Sequence, residues 1–178
     1  MAVSKKKNIW YWEGPGQASG TAPEIVKTKM TASQGVLMPG APLEMSSGLA
    51  VVVTTQDTTL LGFLAGSVAT PETWPITAAY SVNDEVYVAV VKENGIYAAF
   101  CDSGDADSAV AQTNVGIAYG IRVSTVTGSI GYTTIDIGDT DASGWFITDI
   151  ASNREPEAYT TSDNPGVALA RWAGTLHG

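Results

Sequence analysis

Glycine, proline, Ser-Gly and Asn-Gly cut this 178-residue chain into apolar runs too short for helices but of the right length for strands. No segment of ten or more residues repeats apolar side chains at helical period between caps; Asp105 to Gln112 is the best short candidate. Strand-like runs recur throughout. Ile25 to Met30 and Val36 to Met38 come first, the latter ending at Pro39-Gly40. Leu43 to Met45 and Leu49 to Val53 flank Ser46-Ser47-Gly48, which is a hairpin signal. Leu60 to Ala65 follows, and Thr70 to Pro75, with two prolines around Trp74, reads as a loop. Val86 to Val91 and Ile96 to Cys101 flank Lys92-Glu93-Asn94-Gly95 and predict a second hairpin, buried on both faces like a covered barrel wall. Further strands are expected at 115–123, 130–137, 145–150 and 166–173. Many short strands with glycine-rich turns predict an all-β chain: a single small β-barrel or sandwich-like barrel.

Charge divides the chain differently from hydropathy. Sixteen of eighteen acidic residues but only four of nine basic ones lie after residue 30, so 31–178 carries −12 and 1–30 carries +3. An acidic body repels phosphate backbones, which argues against a nucleic-acid partner. Residues 1–23 read as an extended N-terminal arm, and 24–178 as the β-barrel domain. Lys5, Lys6 and Lys7 precede an aromatic knot, Ile9-Trp10-Tyr11-Trp12, followed by Gly14-Pro15-Gly16, Gly20 and Pro23. Such dense Gly and Pro oppose regular structure, yet the aromatics are too apolar to stay in water. The knot either folds back onto its own domain or docks on a neighbouring subunit. The start of the chain shows no apolar signal-peptide core, and no apolar run approaches the ~20 residues of a membrane span. With one cysteine no internal disulfide forms, as expected of a reducing or redox-indifferent compartment.

Catalytic chemistry finds few residues to work with. Nucleophilic catalysis needs a base beside the nucleophile, and the lone histidine, His177, is next to last in the sequence. Cys101 ends an apolar strand and reads as a small buried hydrophobe. Two acidic loops, Asp102-Ser103-Gly104-Asp105-Ala106-Asp107 and Asp136-Ile137-Gly138-Asp139-Thr140-Asp141, offer oxygen ligands of the kind calcium takes. Neither has the spacing of a calcium loop with its late glutamate, so they read as solvated turns. Phosphate-loop, zinc-protease and nucleophile-elbow motifs are missing. The expectation is a chain that is not an enzyme and has no metal or cofactor.

The segment Gly35 to Ala65 adds a loose motif covering about a fifth of the chain. An apolar strand leads to Pro39-Gly40, then Leu43-Glu44-Met45, a Ser47-Gly48 turn, Leu49 to Val53, and after Thr54-Thr55-Gln56-Asp57-Thr58 the run Leu61-Gly62-Phe63-Leu64-Ala65. This grammar resembles the opening hairpin of small β-barrel decoration, or cement, proteins of tailed-bacteriophage heads. The region from Val115 onward exceeds the smallest members of that family. The resemblance implies a virion structural protein on the capsid exterior, assembled in the host cytoplasm. It would bridge neighbouring major-capsid subunits through its arm (Lys5, Lys6, Lys7, Trp10, Tyr11 and Trp12) and barrel, as a homo-oligomer, with a trimer favoured and with neither nucleic acid nor membrane as partner. The alternative expectation is a soluble β-sandwich binding module, carbohydrate-binding or a tail-associated adhesin, reading its ligand with loop aromatics such as Trp74, Trp145 or Trp172.

Overall fold

The β-branched and aromatic runs form strands that find their partners far away in the chain. In the computed structural model the residues described are 10–13, 24–31, 34, 36–53, 59–67, 78–104, 106–126, 129–141, 144–154, 157 and 159–176. Among them are sixteen strands. The N-terminal half carries β1 (Trp10–Glu13), β2 (Ile25–Lys29), β3 (Val36–Leu37), β4 (Pro42–Ser46), β5 (Leu49–Val52), β6 (Thr59–Leu60), β7 (Gly62–Ser67), β8 (Ala78–Ala79) and β9 (Glu85–Val90). The C-terminal half carries β10 (Ile96–Ser103), β11 (Ala106–Asp107), β12 (Ala118–Val126), β13 (Ser129–Thr140), β14 (Trp145–Ile150), β15 (Val167–Trp172) and β16 (Thr175–Leu176). Among the described residues the helical content is one turn of α-helix, α1 (Ala151–Arg154), and a 3-10 turn at Gln112–Asn114. The best short helical candidate, Asp105 to Gln112, forms no α-helix among its described residues; Ala106 and Asp107 pair back onto β10.

The fold is all-β and barrel-like, and its strands close into two five-stranded rings. The first runs β2-β9-β7-β4-β5, antiparallel at each step. Five strands alternating in direction leave the first and last running the same way, so the closing contact must be parallel. That contact is the parallel bridge Met30↔Ala50, reinforced by Thr31 N donating to Ala50 O at 3.0 Å. The second ring runs β10-β15-β14-β12-β13, again antiparallel, and closes through parallel pairs Cys101↔Ile135 and Asp102↔Asp136. Parallel pairs are slightly weaker per residue, and both closures are short.

The predicted hairpin at Asn94-Gly95 is not a hairpin. β9 pairs with β2 and β7 in the first ring, and β10 pairs with β1 and β15 in the second. The turn is real, with Gly95 N donating to Lys92 O at 3.1 Å, but it hands the chain from one ring to the other. Asn94 rather than Gly95 takes the positive φ, 59°. Gly95 makes room for a neighbour instead: a Cβ there would lie 2.9 Å from the Tyr97 ring, whose hydroxyl accepts from Lys92 N at 2.8 Å. The earlier hairpin forms as read, with Leu43↔Val52 through Ser46↔Leu49 around Ser47-Gly48. In Leu61-Gly62-Phe63 the glycine is needed because β9 runs so close that a Cβ would sit 2.1 Å from Ala89 O.

Each ring has its own interior, and a shared core joins them. Leu43, Ala50, Leu64, Val86 and Val88 fill the first, plugged by Leu37 and Tyr80. In the second, the small side chains of Ala99, Ala168 and Ala170 leave room for Trp145, which meets Tyr97 at 5.6 Å and Trp172 at 5.3 Å, both edge-on. Phe63 of the first ring stacks on Trp145 at 6.2 Å, and Val53, Leu60 and Val91 join the same cluster. β3 also adds to β13, and β16 adds to β6. The outer face of β10 and β15 is covered as well: Ala98, Phe100, Val167 and Leu169 pack under Ala151 of α1 and Tyr159. This cover explains the unbroken apolar run Ile96 to Cys101 in β10.

Candidate functional site

Two features can engage a partner, and both involve the N-terminal part of the chain. The first is β1. Trp10 pairs with Ala98, Tyr11 with Tyr97 and Glu13 with Ile96, with an irregularity between Tyr11 and Glu13. Tyr97 and Ala98 also pair with β15, so β1 holds the opposite edge of β10. Further along, Asp102 has β11 on one side and β13 on the other. Ser108 N donates to Cys101 O, and Gly166 N to Ser108 O, which places β11 on the β15 side. β1 and β13 therefore share one edge of β10. β1 occupies the stretch that the ring-closing contact leaves open. Main-chain hydrogen bonds make such a slot receptive to any extended segment of suitable shape. Lys5, Lys6 and Lys7 lie outside the described residues, and for Trp10, Tyr11 and Trp12 the description is of the backbone.

The second feature is the mouth of the first ring. The chain meets β5 at Met30, one residue past the C-terminal end of β2, and no β2–β5 pair forms among the described residues. At the opposite end a cavity of about 560 Å³ opens between Glu24, Val26, Lys27, Thr28, Met45, Leu61 and Val90. Val26, Met45, Leu61 and Val90 give it apolar walls, and the Thr28 hydroxyl lies 3.8 Å from the Met45 sulfur. Lys27 is drawn toward Glu85 at 3.0 Å. β-Barrel mouths are common ligand sites, and this one suits an apolar side chain approached past one ammonium and one carboxylate. The alternation in Ile25-Val26-Lys27-Thr28-Lys29 signals a strand with two different faces, but the opening depends on where β5 parts from it.

The acidic loops come together, though not as solvated turns throughout. The parallel register sets Asp102 beside Asp136. Asp102 is buried, 4 % exposed, and accepts from the Thr134 hydroxyl at 2.7 Å. Asp136 accepts from Gly104 N at 3.2 Å and Gly138 N at 3.0 Å, and meets Arg122 at 3.4 Å. These carboxylates tie the second ring's seam. Sequence reasoning missed this because the two residues lie 34 positions apart and meet only through ring closure. Asp105 lies outside the described residues. No group of three or more His, Cys, Asp or Glu side chains is arranged to hold a metal among the described residues.

Other residues singled out in the sequence fall in the core or outside the description. Cys101 is fully buried and free, and burial pushes its thiol up to about 12. Trp145 and Trp172, expected as ligand-reading loop aromatics, are core residues at 0 % and 6 % exposure. The alanine-lined interior of the second ring needs their volume. Trp74 and His177 lie outside the described residues. No protein-family model, no curated protein and no solved structure matches this chain.

Proposed function

We propose that this chain is a virion structural protein that decorates and stabilises a phage capsid, bridging neighbouring major-capsid subunits through its N-terminal segment and barrel body as a homo-oligomer. The observation that carries the reading is the position of β1: a short strand, reached through a Gly- and Pro-rich connection, laid on a sheet edge by main-chain pairing. Such an element gives a bridging protein a detachable hand. The charge division supports it too, since an N-terminal segment of +2 (residues 1–23) beside a body of −11 (residues 24–178) can meet surfaces of either sign. The Gly35–Ala65 resemblance supplies the class of shell, and that segment builds β4, β5 and β7 of the first ring. This reading assigns the chain no reaction and places it on the capsid exterior.

The test has two steps. Mass spectrometry of purified virions identifies the particle that contains the chain. Co-sedimentation with heads of that phage stripped of the protein then compares the full chain with one lacking residues 1–20. The full chain should bind and raise the temperature at which the heads open. The truncated chain should keep its β circular dichroism and lose binding. Wild-type affinity in the truncated chain would overturn the reading.

The mouth of the first ring favours a second reading, a binding module that takes an apolar side chain of a ligand. On that reading the chain binds as a monomer, and Met45→Lys abolishes binding while deletion of residues 1–20 leaves it intact.

A further inference from the structure

We propose that β1 is an exchange strand: in solution, residues Trp10–Glu13 of one copy occupy the β10 edge of a second copy, linking copies of this chain head to tail. The inference rests on the β1–β10 register and not on the shell reading. It assigns Trp10–Glu13 to the contact between copies.

Three observations converge on a second copy as the occupant. The slot on β10 is defined by backbone: Ile96, Tyr97 and Ala98 pair with β1 on the edge that β15 leaves vacant. Whichever copy supplies the strand, the same main-chain bonds form, so exchange costs no contact in the slot itself. Next, residues 14–23 join Glu13 to Glu24. Extended, that connection reaches ~35 Å, about twice the ~16 Å radius of gyration expected for a chain of this length. The strand can therefore leave its own body and reach a neighbour's.

Charge complementarity selects the partner. Two bodies of −11 (residues 24–178, six basic and seventeen acidic) repel, but residues 1–23, which carry β1, hold Lys5, Lys6 and Lys7 against one acid, Glu13, a net +2. Presented to the acidic body of another copy, it is attracted. The contact is also directional. A donor strand on one copy meets an acceptor edge elsewhere on the next, so the interface is heterologous and closes into a ring or grows as a chain.

Register gives the experiment. Trp10 and Ala98 are direct partners across antiparallel strands, a spacing a disulfide can bridge. In a Cys101→Ala background, which removes the one native thiol, one preparation carries Trp10→Cys and another Ala98→Cys. The two full-length chains are mixed, oxidised and run without reductant. Exchange predicts a disulfide-linked pair at twice 18.5 kDa, absent when either preparation is oxidised alone. The double variant, carrying both cysteines in one chain, should give a ladder of linked copies. A mixture that stays monomeric while the double variant forms only an internal bond would show the strand remaining on its own body and overturn the proposal. Absence of any crosslink would overturn the register and the proposal with it. A measurement free of substitutions guards against misfolding: the unmodified chain should self-associate in sedimentation velocity as its concentration rises, and a chain lacking residues 1–13 should stay monomeric. An unmodified chain that is monomeric throughout the range also overturns the proposal.

Discussion

Cys101 shows how burial governs chemistry at a single residue. Its side chain faces the interior of the second ring between Ile135 and Ala168, and desolvation disfavours the thiolate that any thiol chemistry requires. At pH 8 the native protein should react with a thiol reagent only as fast as it unfolds. The rate should jump to that of a free cysteine in denaturant. Fast labelling under native conditions would mean that β10 opens locally at its contact with β13. Gly62 makes the same point for the backbone, since the approach of Ala89 O at 2.1 Å to any Cβ leaves no alternative residue without moving β9.

At the scale of elements, α1 is too short to persist on its own and is held by one aspartate. Asp149 accepts from Ile150 N at 2.9 Å, Asn153 at 2.7 Å and Arg154 at 2.7 Å, and Asn153 also reaches Gln112 at 3.0 Å. Partial burial pushes the Asp149 carboxyl up, but the hydrogen bonds from Asn153, Arg154 and the Ile150 amide outweigh it and hold it below its ordinary 3.8. A depressed carboxyl stabilises the fold above its unfolded value, and that stabilisation is lost as pH falls through the lower folded value. Asp149→Asn should therefore melt below wild type at neutral pH. The gap should close as pH drops below 3.8. A gap unchanged through the acid range would show that the carboxylate charge contributes nothing to holding α1. Since α1 covers Phe100 and Leu169, its loosening should also speed amide exchange in β15.

At the scale of the whole molecule, the two rings are joined too closely to unfold separately. Phe63 leaves the first ring to stack on Trp145 in the second, and β3 and β16 cross between the halves. Tryptophan fluorescence, dominated in the core by Trp145 and Trp172, should therefore change at the same denaturant concentration as far-ultraviolet dichroism. Phe63→Ala should lower that midpoint by the equivalent of about 3–5 kcal/mol while keeping one transition. Two resolved transitions in the wild-type chain would make the rings independent units.

Much of this architecture was legible in the residues themselves. Leu43 to Val53 announced its hairpin because Ser47-Gly48 turns the chain locally and the flanking runs need only each other. The apolar stretch Ile96 to Cys101 announced burial on both faces, and with it the burial of Cys101. Val86 to Cys101 looked like the same kind of hairpin and was not. Its turn forms, yet β9 takes partners from 25–29 and 62–67, and β10 from 10–13 and 167–170. Trp145 and Trp172 could be surface binders or core fillers by type alone, and the alanines around them decided for the core. Asp102 and Asp136 each looked like part of a solvated turn until ring closure set them side by side. The sequence by itself determined what depends on adjacent residues: strand periodicity, turn positions and the division of charge. Only the tertiary structure decided which strands pair, that they close into two rings rather than one, and where the edge of β10 lies open to β1. A strand's hydrogen-bonding groups point sideways to partners that its own neighbours in sequence cannot supply.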